Sequence, residues 1–326
     1  MKKMLAAMMA GIMIMGLLAG CTAPGEAKEN EKYKIGIVQP VDHPSLNRSR
    51  DSIVQELDRL GMGDQVEITL ENANGDMNLL QSIMQKLIGE EVDMIVAIAT
   101  PAAQAALSST TDIPIVFAAV SNPVEAGLVK DTSKPEENIT GVSNSIPVED
   151  IIELSKVLTP EVKTYGFLYN SSEINSAASI ENTKSYCDAQ GIPYKEVSIT
   201  STTDIQQAVS SLTGQVDAFF TPNDNMVASA MATYSQVATE AGLPIYVGAD
   251  SMVADGGLAT VGIDYNLLGE QAGRMIGRII NGEAIGDNPV ETVSEYANVI
   301  NVDIAEKLGI NIPQELEEEF VTVGKQ

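Results

Sequence analysis

Residues 94–103 read MIVAIATPAA. Met94–Ala99 is apolar without interruption. An unbroken run of that length fits a strand covered on both faces, as in a parallel sheet. Thr100-Pro101 then reads as a strand-end turn, and Pro101-Ala102-Ala103 as the opening of a helix. The same grammar extends on both sides. Lys34–Val38, Val66–Leu70 and Ile115–Ala118 are further near-continuous apolar runs, expected as strands buried on both faces. Between them lie amphipathic stretches. Ser45–Leu60 places Ile53, Val54, Leu57 and Leu60 on one face. Asn78–Ile88 does the same with Leu79, Leu80, Ile83, Leu87 and Ile88. Gly61 and Gly89 are the expected stops.

The pattern restarts downstream. Thr164–Tyr169, Tyr194–Ile199, Ala218–Thr221 and Ile245–Gly248 read as strands, while Ile151–Leu158, Ala177–Ala189, Ile205–Leu212 and Met226–Ala241 read as helices. Repeated strand-helix units imply right-handed crossovers and parallel sheets with helices on both faces. Two such runs predict two α/β domains. An internal echo points the same way: Pro114-Ile115-Val116 and Pro244-Ile245-Tyr246 are each followed at matching distances by Ser121 or Ser251, then by Gly127-Leu128 or Gly257-Leu258.

In open parallel sheets ligands bind beyond the carboxyl ends of the strands, so the segments after each strand supply the candidate site residues. In the first half these are Gln39 and His43, then Thr100 and Ala102, then Ser121 and Asn122, with Asn144 at the end of that half. In the second they are Tyr169, Asn170, Ser171 and Asn175, then Asn223 and Asp224, then Asp250. Each Asn, Ser, Thr or Asp could equally cap a helix or form a turn. Together they suit a cleft that hydrogen-bonds a small polar ligand. Thr100–Ala103 and Ser171-Ser172 are candidate carboxylate seats at helix N-termini. Asp250 and Asp224 are the candidate partners for a ligand ammonium. His43 is either a rim residue or a direct contact.

The amino terminus fixes the expected location. Lys2 and Lys3 precede an apolar run from Met4 to Leu18, then Ala19, Gly20 and Cys21. This has the n-region, h-region and small-residue cleavage zone of a secretory signal. Leu18-Ala19-Gly20-Cys21 resembles the bacterial lipobox, in which the cysteine is acylated and holds the protein at the membrane. Residues 1–20 are therefore expected to be a signal peptide, Cys21 the lipidation site, and 21–32 a flexible polar tether. The protein should be extracytoplasmic and lipid-anchored to the cell membrane.

Composition restricts the chemistry. The 326 residues carry 19 Lys plus Arg against 45 Asp plus Glu, a formal net charge of −26. Such a surface repels phosphate backbones, so no nucleic acid is expected. There is one histidine and there are two cysteines, one of them in the leader. His-based triads, His-rich metal sites and Cys-His sites each need partners that one histidine cannot supply. No phosphate-cradling glycine motif occurs. No metal, no cofactor and no enzymatic activity is expected. Cys187 reads as a packed thiol.

Several segments together resemble a known family. They are Lys34–Gln39, Ile113–Phe117 with Ser121-Asn122-Pro123, Asn138–Ser143, and Gly256–Thr260 through Gly269. From Tyr33 to Pro313 the chain is similar to the substrate-binding lipoproteins of ABC transporters with the type 1 periplasmic-binding-protein fold. Within that family it is similar to the branch associated with tryptophan and tyrosine uptake. The resemblance implies two Rossmann-like lobes joined by a three-segment hinge. The crossings would lie near Val142–Ser145, Gly262–Asp264 and Val293–Tyr296. The first lobe would be 33–143 plus 264–294, and the second 144–263 plus 295–326. Tyr265–Asn281 would return as a helix. The resemblance further implies a monomer that binds an amino-acid-like ligand, aromatic or apolar, between the lobes. It would pass the ligand to the permease of an importer driven by ATPase subunits. With no Trp and 5 Phe in the chain, stacking would rest on Tyr169, Tyr265 or Phe117. The alternatives are a sensor for a signalling receptor, a nucleoside or sugar binder, and, least favoured, a secreted enzyme using Asp224 and Asp250.

Overall fold

The computed structural model describes residues 32–324, apart from 136 and 294; the leader, Cys21 and nearly all of the tether lie outside the described residues. The strands form two sheets. The first contains β1 (Tyr33–Gln39), β2 (Val66–Asn72), β3 (Met94–Ile98), β4 (Ile115–Val120), β5 (Ile139–Ser143) and β11 (Glu291–Thr292). The second contains β6 (Tyr165–Asn170), β7 (Tyr194–Ile199), β8 (Ala218–Thr221), β9 (Ile245–Val247), β10 (Ala259–Ile263), β12 (Tyr296–Asn301) and β13 (Val321–Val323). Spatial order is β11-β5-β4-β3-β1-β2 in the first and β13-β12-β10-β9-β8-β6-β7 in the second. All pairings are parallel except β10 with β12.

The two halves share one winding. Strands β1 to β5 lie in the order 5-4-3-1-2, and β6 to β10 repeat it as 10-9-8-6-7. Each sheet therefore has a switch point, between β1 and β3 and between β6 and β8, where successive crossovers leave in opposite directions. Central strands have neighbours on both edges and helices on both faces, so β3, β4 and β5 are buried throughout. The expectation of two buried faces fails for Val66–Leu70. That strand is at the sheet edge, and Leu70 is 53% exposed.

The helices are α1 (Pro44–Arg59), α2 (Met77–Gly89), α3 (Thr100–Ser109), α4 (Val148–Leu158), α5 (Ile174–Gln190), α6 (Ile205–Leu212), α7 (Asn225–Ser229), α8 (Met231–Glu240), α9 (Asp250–Ala254), α10 (Tyr265–Ile280), α11 (Val302–Leu308) and α12 (Gln314–Glu319). The helix expected over Met226–Ala241 is divided at Ala230, whose backbone is non-helical. Gly89 does not stop α2; it remains helical, and Glu91 takes the left-handed conformation (φ 54°) that ends the helix. On α2 the buried stripe is Leu80, Ile83, Met84 and Leu87, which leaves Leu79 outside it and exposed.

α1 and α10 lie side by side because α10 offers glycine at every fourth position. A Cβ on Gly269 would lie 2.5 Å from the Ser49 carbonyl oxygen, one on Gly273 would lie 2.7 Å from Glu56 Cβ, and one on Gly277 would lie 2.9 Å from Leu60 Cδ1. The close approach buries Glu56, which accepts from Arg59 and pairs with Arg274. Among the described residues the chain passes between the sheets three times: from β5 to α4, from β10 to α10, and from β11 to β12.

Candidate functional site

Strand ends and helix starts from both sheets meet around one narrow cavity. Its wall is His43, Ser45, Leu46, Ala119, Ser121, Asn144, Asn175, Asn223, Asp224, Asn225, Ala228, Ala249, Met252 and Tyr265. Each lies at or after the carboxyl end of a strand, the position the parallel topology reserves for a ligand. The empty space at this wall is about 320 Å³, part of it open to solvent.

Local structure positions these groups. His43 is the extended residue before α1, and Pro44 pre-sets the first helical turn after it. Ala119 takes a left-handed backbone (φ 59°) at the end of β4 and turns the chain toward Ser121. Asp224 caps α7 by accepting from Val227 N at 2.9 Å. Tyr265 opens α10, whose cap is Asp264.

A hydrogen-bonded chain crosses the cavity floor. Ser121 Oγ donates to Asn144 Oδ1 (3.1 Å), Asn144 Nδ2 donates to Tyr265 Oη (3.0 Å), and Asn223 Nδ2 donates to the Asn144 carbonyl (3.2 Å). Asn175 Nδ2 donates to the Asn223 carbonyl at 3.0 Å. Behind them Glu173 is buried and accepts from Asn170, Asn175, Asn225 and the Met226 amide. Asp224 also accepts from Asn170 N at 2.5 Å. Burial, with the Glu173 carboxylate beside it, raises the Asp224 carboxyl well above the ordinary aspartate range. A ligand cation would relieve that strain on its charge.

Four buried polar atoms of the wall have no well-aligned hydrogen-bond partner among the described residues: both ring nitrogens of His43, beside the Asn225 side chain, Asn175 Oδ1 and Asn223 Oδ1. Unpaired buried polar atoms are uncommon because each forfeits its hydration. Burial lowers the His43 pKa to about 4, with Asn225 and Asp42 nearby opposing the shift. The ring is therefore neutral at pH 7 and offers one donor and one acceptor. No Lys or Arg lines the cavity, and its apolar portion is Leu46, Ala119, Ala228, Ala249, Met252 and the Tyr265 ring.

Six of the residues singled out from sequence reach this wall: His43, Ser121, Asn144, Asn175, Asn223 and Asp224. The others do not. Gln39 is spent inside the first half, donating to Val41 O and Asn47 and accepting from Arg50. Thr100 and Ala102 are buried at the start of α3, away from the cavity. Asn122 caps its own turn through Glu125 N. Tyr169 sits with its hydroxyl 3.5 Å from Glu196, Asn170 is a structural donor to Glu173, and Ser171 is exposed. Asp250 gives both carboxylate oxygens to Arg48, at 2.6 and 3.1 Å. Sequence reading did not single out Ser45, Leu46, Ala119, Asn225, Ala228, Ala249 and Met252; Asn225 follows Asp224 directly and was readable as part of that turn. Cys187 is buried, and burial pushes its thiol up to about 11, as a packed thiol requires. Among the described residues no helix is long and apolar enough to cross a membrane, and no cluster could hold a metal ion.

Comparison with known proteins places the chain in a family. Residues 34–323 match the family model described as ABC transporter substrate binding protein. A curated tyrosine-binding protein of Clostridioides difficile is 38% identical over 318 residues, covering 94% of this chain and 92% of the relative. A crystal structure from Streptococcus pneumonia, described as an ABC domain in complex with L-Trp, is 40% identical with a TM-score of 0.87, covering 90% of this chain and all of that one. The ligand-free, open structure of a Clostridium difficile substrate-binding protein with adhesive properties is also 40% identical at the same coverage, with a TM-score of 0.70. The likeness is to proteins that bind, and the chain is not an enzyme. It belongs to the ABC transporter substrate-binding protein family, with relatives that bind tyrosine or tryptophan.

Proposed function

We propose that the cavity encloses a free amino acid with an aromatic or other apolar side chain, and that the protein presents it to the permease of an ABC importer. The observation that carries this reading is the set of unpartnered buried atoms on His43, Asn175 and Asn223, beside the charge-starved Asp224. An ammonium group suits Asp224 and the two amide oxygens. The apolar wall of Leu46, Ala228, Ala249 and Met252, with the Tyr265 ring, suits the side chain. The described binding of tyrosine and tryptophan by the relatives supports the same class.

Residues 33–143 plus 264–294 would act as one lobe and 144–263 plus 295–326 as the other, closing by rotation at the three crossings. At equal sequence identity the structure is more similar to the L-Trp complex than to the ligand-free open form, which supports a closed arrangement here. Residues 1–20 would be removed, Cys21 lipidated, and the monomer held outside the cell membrane on its tether.

The test is calorimetry of purified protein with L-tyrosine, L-tryptophan, L-phenylalanine, a nucleoside and a sugar. A binding amino acid at 100 times its Kd should add about 2.7 kcal/mol of stability. Binding of the nucleoside or sugar with no response to any amino acid would reject the ligand class.

A further inference from the structure

Two contacts join the halves directly, one of them outside the cavity and the other, through Ser45, at its wall. Arg48, on α1 of the first half, makes a two-pronged ion pair with Asp250 at the start of α9 in the second half, 202 positions away. One helical turn earlier the Ser45 hydroxyl meets the hydroxyl of Ser251, the next residue of α9. Both serines are buried, and the side chains of Arg48 and Asp250 are 34% and 16% exposed. Neither Arg48 nor Asp250 lines the cavity.

We propose that Arg48 and Asp250 form a clasp that sets ligand affinity without touching ligand, by favouring the closed arrangement of the halves. The inference rests on the lobe closure proposed above. The physical reason is differential. With the halves together, the guanidinium fork meets both carboxylate oxygens, a geometry that adds strength and direction. With them apart, each charge returns to water. Only an interaction present in one state shifts the balance between states. The background sharpens the effect. The chain carries 45 acidic residues against 19 Lys plus Arg, and Asp264 and Asp255 also stand near this pair. Without Arg48, closure would bury the Asp250 carboxylate, beside Asp264 across the Ala249–Ile263 bridge, with no cation to answer it.

Apparent affinity falls in proportion to the population of the competent state. For a partly exposed pair the loss in Arg48→Gln is about fivefold in Kd, with Asp250→Asn showing a similar loss. The experiment uses small-angle scattering of the ligand-free protein together with titration of whichever amino acid binds. The wild type should expand at NaCl on the order of 1 M, where the Debye length is about 3 Å. Arg48→Gln should be expanded already at low salt and respond little further. The exchanged pair, Arg48→Asp with Asp250→Arg, should regain compactness and affinity. If Arg48→Gln matches the wild type in radius of gyration and in Kd, or if the exchange restores neither, the clasp is rejected. The scattering arm needs no ligand, so it still decides the question should no amino acid bind.

Discussion

His43 offers the sharpest prediction because it is the chain's single histidine and its environment is so unlike water. It is 6% exposed and both ring nitrogens lack well-aligned partners, and burial lowers its pKa from 6.5 to about 4. A histidine with a depressed folded pKa favours its neutral form in the fold. Its contribution to stability is therefore present above the unfolded pKa near 6.5 and is lost as pH falls through about 4. A shift of that size corresponds to about 3 kcal/mol when the ring must charge, at roughly 1.4 kcal/mol per pH unit. The perturbation is His43→Gln, which keeps a donor and an acceptor but does not titrate. Chemical unfolding at a series of pH values from 7 to 4 should show the wild type losing about 3 kcal/mol more than the variant, nearly all of it below pH 6.5. The imidazole can also be followed alone by NMR. A measured pKa of 6 to 7, or parallel pH profiles for the two proteins, would refute the reasoning and place the ring in contact with solvent.

Three further outcomes are expected. Asn223→Ala removes the donor to the Asn144 carbonyl and an unpartnered oxygen on the wall; calorimetry should show amino-acid binding weakened by about 1–2 kcal/mol, and unchanged binding would remove Asn223 from the site. Gly269→Ala places a methyl 2.5 Å from the Ser49 carbonyl oxygen; the α1–α10 contact should lose about 1–3 kcal/mol in urea unfolding, with no loss indicating that the helices slide apart freely. Cys21→Ala should release the protein from the membrane fraction or leave it unprocessed, and normal membrane retention would dismiss the lipid anchor.

Eight of the strands were readable from local sequence, while β5 and β10 to β13 were not. Uninterrupted apolar runs such as Met94–Ala99 have few other places to go than between covering helices, and the recurrence of strand and helix dictates parallel pairing. Strand-end loops were readable for the same reason: topology alone sends them to one edge. Choosing among the loop residues was beyond local reading. Asn170 and Asn175 have the same chemistry, lie five positions apart and both donate to Glu173, yet only Asn175 also lines the cavity. Asp224 and Asp250 both begin helices in the second half. One faces the cavity with burial raising its proton affinity, while the other is taken by Arg48 from the opposite half. That pairing spans 202 positions, and no periodicity within a helix or strand encodes a partner so distant. Sequence by itself determined the elements and the edge on which a ligand could lie, because burial and backbone pairing act over a few residues. Tertiary structure decided which polar atoms remain unpaired, because that depends on what the facing half supplies.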